Sequence, residues 1–230
     1  MMGLDASDWQ AVRLSLWVAC WATAFVVPLA LLTAYALTRW HFPGRGVLNA
    51  LTFLPLILPP VVTGYVLLIL FSPAAPIGGL LESLGLGVAF RWQGAALAAA
   101  IMAFPLSVRA MRLGLEAVDP ALEEAAATLG SSPIAVFWTI TLPLIWPSVL
   151  AGGVLGFAKS LGEFGATITF VSNIPGQTET LPSAIYTALQ VPGGERIATG
   201  LSLVAVVLAL GALVLSEALA RRAQRFRTTP

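Results

Sequence analysis

An all-α integral membrane protein with about five transmembrane helices is the fold class this sequence predicts, on three observations. First, 58% of its 230 residues are hydrophobic and only 10% are charged, against about 25% charge in soluble domains. Second, the apolar residues gather in runs of the length that crosses a bilayer, which takes about 20 residues of helix. Third, the arginines fall between the runs and favour alternate gaps. The net charge of +1 gives no bulk attraction for nucleic acid. A lone cysteine, Cys20, and a lone histidine, His41, offer neither an internal disulfide nor a metal cluster. The N-terminal MMGLDASDWQ holds two acids and no base, so a cleaved signal segment is not expected.

The first span covers about residues 14–38, between Arg13 and Arg39, with Pro28 near its middle as a source of a kink. The second covers about 47–71. Pro55, Pro59 and Pro60 in LPLILPP require a bend or break there, and the freed backbone groups need partners inside the protein. A linker rich in proline and glycine leads to the third span, about 92–110, which Arg109 and Arg112 close. The fourth covers about 144–170 and contains Lys159 and Glu163. A polar stretch follows, and within the loop 172–195 the apolar run 181–191 is too short to cross. It reads as a re-entrant or surface helix. The fifth span covers about 197–217, before a tail with Arg221, Arg222, Arg225 and Arg227.

Positive charge sets the orientation. The loop after the first span, the end of the third span at Arg109 with the 112–143 loop, and the tail together hold eight arginines, and the opposite side holds Arg13, Arg91 and Arg196. The N-terminus is therefore expected outside and the C-terminus in the cytoplasm, as five spans require.

The 112–143 loop is the most structured connection. Asp119-Pro120 reads as an N-cap followed by proline at the first helical position, and Ala, Leu and Glu then fill a short helix. Gly130 reads as the residue just past its end, and Ser132-Pro133 starts a second helix. Glu124-Ala125-Ala126, then Gly130, Ile140, Leu142 and Pro143 resemble the EAA signature, EAA-x3-G-x9-I-x-L-P, at all seven positions. That signature marks membrane subunits of ATP-binding-cassette (ABC) importers. The resemblance implies a single permease domain over 1–230 with the type I ABC importer permease fold. It also implies that this loop is a cytoplasmic coupling helix seated in a separate ATPase. Small alanine and glycine side chains would permit close approach there. Glu123 precedes the signature glutamate, so Glu123 or Glu124 is the candidate for the ATPase contact.

The fourth span carries the second informative stretch. Lys159 and Glu163 lie four apart on one helix face. Two readings stand: they pair to hold the bundle, or they flank the translocation path or its gate. Thr167, Thr169 and Asn173 supply uncharged hydrogen-bonding groups beyond them, suited to passing a hydrated oxyanion. Gly152 and Gly156 suit close helix packing, against this chain or a second copy. The sequence SLGEFGATITFVSNIPGQTETLPSAIYT, with LPLILPPVVTGYVLL in the second span, is similar to the molybdate permease group; sulfate permeases keep a related core. This implies a homodimer in the bacterial inner membrane, bound to an ABC ATPase dimer and an external oxyanion-binding protein. Molybdate is the expected cargo, with tungstate or sulfate as alternatives.

Nothing in the chain serves nucleotide chemistry. Gly153 to Ser160 imitates a phosphate loop, but Ala158 stands where glycine is needed and the stretch is a membrane span. ATP and Mg are thus expected on the partner, and this chain is expected to hold no cofactor and no catalytic residue. An ATP-independent secondary transporter using Lys159 and Glu163 as a relay is the other reading. Internal inverted repeats would favour it, and none is evident.

Overall fold

The computed structural model describes residues 4–225, with side chains through Leu215. Arg227 lies outside the described residues, as do the side chains of Arg221, Arg222 and Arg225. Helices make up all the regular structure of the described residues.

Helix α1 (Ala6–Arg39) starts at Asp5, whose carboxylate accepts the Ser7 and Asp8 amides while the Asp8 carboxylate accepts the Asp5 amide. This reciprocal cap satisfies donors that a helix start leaves open. The Ser7 hydroxyl and these amides hold the Asp5 carboxyl below its ordinary range. Thirty-four residues make a helix of about 50 Å, so α1 begins well before the predicted span and runs unbroken through Pro28.

Helices α2 (Arg45–Ile57) and α3 (Pro60–Phe71) replace the second predicted span, and they meet at a bend of 114°. Pro59 and Pro60 cause it. Neither ring nitrogen can donate, and Pro59 sits in an extended conformation as the N-cap of α3. After the short α4 (Pro76–Ser83), α5 (Trp92–Glu116) enters the middle of the bundle. Its many alanines let neighbours approach closely, and it buries 61% of its apolar window, far more than the other candidate spans. Next come α6 (Pro120–Thr128), α7 (Pro133–Val136), a π-helical turn (Phe137–Thr141) and α8 (Leu142–Leu161). Then follow α9 (Gly165–Val171), α10 (Leu181–Gln190) and α11 (Glu195–Arg225). Four of these helical stretches are long and apolar enough to cross a membrane, or five if the bent α2–α3 pair counts as one.

Helices α1, α5 and α8 form the core. Val26, Ala30, Ala34 and Leu37 meet Val108, Met111, Leu115, Ile145 and Val149 at one end. At the other, Val18 and Ala22 join Ala95 to Met102, with Leu67 of α3 and Phe170 of α9. Helices α5 and α8 run antiparallel: the Ser107 hydroxyl donates to Gly152 O at 2.8 Å and the Ser160 hydroxyl to Ala99 O at 3.5 Å.

One expectation needs correcting. The fourth span is not one helix over 144–170: it stops at Leu161 and resumes as α9 at Gly165. Gly162 and Gly165 flank the gap, and α9 turns to lie along α3. Of the two partners left open for the Gly152–Gly156 seam, it faces this chain's own α5. A Cβ at Gly152 would meet Met111 Cε at 2.9 Å, and one at Gly156 would meet Ser107 Oγ at 2.7 Å. The 181–191 run forms α10, which packs Leu181 and Ala184 against Ala11, Val12 and Leu201. The Leu181 amide donates to Ser15 Oγ at 2.6 Å.

Candidate functional site

Two places carry chemistry that an apolar bundle does not need, and the first is the elbow of α6, α7 and the π turn. Its local structure follows from a few residues. Asp119 Oδ1 accepts the Ala121 amide at 3.0 Å, and Pro120 fills the first helical position. At the other end the Gly130 amide donates to Ala127 O and the Ser131 amide to Ala126 O, at 3.0 and 3.1 Å. This paired closure needs a left-handed residue, and Gly130 has φ +89°. A Cβ at Gly130 would meet nothing within 4 Å. Within this chain the requirement for glycine is therefore conformational. Ser132 Oγ then accepts the Ala135 amide at 3.3 Å and starts α7.

Within the elbow, α6 stands clear of the bundle. Helix α6 buries no residue, and Leu129 is 87% exposed. The two candidate glutamates point different ways. Glu124 is exposed, as is Ala125, while Ala126 is half-buried. Glu123 turns inward: its Oε2 lies 2.9 Å from Arg39 Nε, and its Oε1 accepts the Thr141 hydroxyl at 2.6 Å. Of the two, Glu124 presents its carboxylate on the outer face. Ile140 and Leu142 are half-buried and belong to the bundle side, and Pro143 is exposed in the first turn of α8. The Leu142 amide reaches back five residues to Phe137 O, which defines the π turn. Arg39 and Thr141 were not singled out in the sequence. Arg39 is 84 residues from Glu123, and no local spacing ties the two together.

The second place is the gap between α8 and α9. It lies within the membrane-spanning length of α5, just beyond the level of the Ser160–Ala99 contact. The Glu163 side chain is 1% exposed. One carboxylate oxygen is hydrogen-bonded to Lys159 Nζ and the other accepts the Ala166 amide at 3.0 Å. Glu163 thus joins the end of α8 to the start of α9, where a negative charge also suits the helix dipole. The Lys159 side chain is 30% exposed, and the ion pair sits at the gap. Helix α9 lies against α3. A Cβ at Gly165 would sit 2.8 Å from Pro60 Cβ, and one at Gly64 would sit 2.9 Å from Ala166 Cα. The two breaks in the bundle are thus packed on each other.

The hydroxyls expected to serve a passing anion are occupied. Thr167 is buried and donates to Phe164 O at 2.8 Å, and Thr169 donates to Gly165 O at 2.8 Å. Asn173 Nδ2 donates to Thr187 Oγ1 at 2.9 Å, beyond the end of α9. Thr167 and Thr169 donate within their own segment, because a hydroxyl inside a helix finds a carbonyl one turn back, whereas Asn173 reaches across to α10. Among the described residues no cluster of three metal-ligating side chains occurs.

The described residues thus form a bundle with four or five helical stretches able to cross a membrane, and a short helix held outside it. The family described as "Binding-protein-dependent transport system inner membrane component" matches residues 26–226, and the chain belongs to it. It is a multi-pass inner-membrane permease. Among curated proteins it is 53% identical over 221 residues to the "Molybdenum transport system permease protein ModB" of Escherichia coli strain K12, covering 96% of each chain. It is 38% identical over 208 residues to the "Sulfate transport system permease protein CysT" of Salmonella typhimurium, covering 89% of this chain and 73% of that protein. Among solved structures it resembles a chain of a bacterial ABC transporter involved in import of the acidic polysaccharide alginate. The TM-score there is 0.76 at 19% identity, covering 95% of this chain and 80% of the other. That likeness establishes the type I ABC importer permease fold.

Proposed function

We propose that this chain is the translocating subunit of an ATP-driven molybdate importer, acting as a homodimer on two copies of a separate cytoplasmic ATPase. The observation that carries the reading is the elbow: a capped helix bearing the full EAA signature, with Glu124 and Leu129 exposed and nothing of α6 buried in its own bundle. A helix so apolar at its tip and so unpartnered fits a socket in another protein. Molybdate is favoured over sulfate because the molybdenum permease relative is 53% identical and the sulfate relative 38%. Tungstate, of the same shape and charge, is the expected competitor.

In this reading the elbow, Arg39, Arg45 and Arg112 face the cytoplasm and the N-terminus faces outside. ATP and Mg bind the partner, whose closure draws the two elbows together and opens the bundle outward. An external oxyanion-binding protein then releases its cargo into the opened path. The α8–α9 gap with Lys159 and Glu163 lines or gates that path. Uptake of radiolabelled molybdate into proteoliposomes, with the ATPase and the loaded binding protein present, tests the reading. ATP-dependent uptake that tungstate competes and sulfate does not is the expected result. Preferential sulfate uptake would move the cargo, and uptake driven by a pH gradient without ATPase would replace the mechanism.

A further inference from the structure

The elbow must pass force to the bundle, yet it has almost nothing to pass it through. Helix α6 buries no side chain in the core. Its one strong attachment is the Glu123 carboxylate, which touches two different helices with its two oxygens. Oε2 meets Arg39 at the last residue of α1, and Oε1 meets Thr141 at the last residue of the π turn. Arg39 also reaches Val118 O, in the connection that leads into α6, at 3.4 Å. The ion pair is sheltered, with both side chains 17% exposed. Thr141 is fully buried. Tyr35, one turn before Arg39, packs edge-on against Phe137 of the π turn at 5.3 Å, so α1 and the π turn are also joined directly.

The π turn sets the direction of this attachment. One extra residue in a helical turn rotates every later side chain by about 100° relative to an uninterrupted α-helix. Thr141 is the residue that this insertion aims at Glu123, while Ile145 and Val149 of α8 still face the core.

We propose that Arg39, Glu123 and Thr141 form the strut that carries elbow movement into α1 and α8, and that Glu123 is a positioning residue for transport and not an ATPase contact. This rests on the function proposed above and divides the two adjacent glutamates by role. Glu124 binds the motor and Glu123 transmits its stroke. Since α1 and α8 both pack on α5, a displaced α6 moves two walls of the bundle together.

The test uses the complete importer in proteoliposomes and measures molybdate transported per ATP hydrolysed. Glu123→Gln and Arg39→Gln lower that ratio about tenfold, while the ATPase stays bound and active. Thr141→Val, which removes one arm and leaves the ion pair, lowers it less, and Thr141→Ser restores it. The exchanged pair Arg39→Glu with Glu123→Arg recovers part of the ratio lost by either single change. Glu124→Gln instead weakens ATPase co-purification. Hydrogen exchange over residues 120–131 of the full chain, read without the ATPase, rises in Glu123→Gln and Arg39→Gln and falls back in the exchanged pair. An unchanged ratio in Glu123→Gln overturns the strut, as does loss of ATPase binding in that variant to the extent seen for Glu124→Gln. Failure of the unaltered chain to bind any ATPase would overturn the proposed function instead, and the exchange measurement would still report on the strut.

Discussion

The elbow and the α8–α9 gap are both interruptions of a helical bundle, and they are built in opposite ways. The elbow is complete in itself. Its caps, its left-handed Gly130 and its π turn are satisfied by its own residues, and its α6 leans on the bundle chiefly through the Glu123 carboxylate. The gap is incomplete in itself. Helix α9 has seven residues and depends on Glu163 at one end and on α3 along its side. The contrast indicates how motion is distributed: a part that is internally rigid and loosely attached moves as a lever, whereas a part held by close glycine contacts moves only with its neighbours.

Variants can break or sharpen this comparison, and the largest effect is expected at the gap. Glu163→Ala leaves Lys159 without its partner at membrane depth and uncaps α9, costing about 3 kcal/mol. Adding Lys159→Met to it should recover part of that loss, as read by thermal melting of the detergent-solubilised protein. Gly64→Leu comes next. Its side chain would enter the α3–α9 contact, with an expected cost of about 2 kcal/mol and lower yield of folded protein. The same kind of change at the elbow should behave differently. Gly130→Val strains the left-handed turn by about 1–2 kcal/mol and reduces transport, but the bundle should melt as before. Gly130→Asn, which tolerates φ +89° better, should keep most transport. The smallest effect is expected for Thr169→Val, at under about 0.5 kcal/mol. Its hydroxyl serves only Gly165 O, so uptake should stay within about twofold, and a larger loss would return Thr169 to the translocation path.

What was legible in the sequence divides along the same line. The elbow was readable because each feature is local: Asp119 and Pro120 start a helix, Gly130 ends it and Ser132 starts another. The proline break in the second span was readable for the same reason. The break after Leu161 was not. Glycine is tolerated within apolar helices, and Gly162 and Gly165 break this one only because α3 offers α9 a surface with Pro60 and Gly64 on it. The Gly152–Gly156 seam was visible as a seam, but its partner was not, since small residues fit a neighbour within the chain and a second copy equally well. The direction of Glu123 depended on Arg39, the last residue of α1, and no sequence period connects residues that far apart.

The most direct test of the central claim, that the elbow is the cytoplasmic docking point for a separate motor, is sided labelling at its tip. Leu129→Cys is placed in a Cys20→Ser background, because the native cysteine is itself exposed, and is treated with a membrane-impermeant maleimide. Reaction only in inside-out vesicles, blocked when the ATPase is bound, is the predicted result. Reaction from the outside of intact cells, or reaction in inside-out vesicles that bound ATPase leaves unchanged, would contradict it.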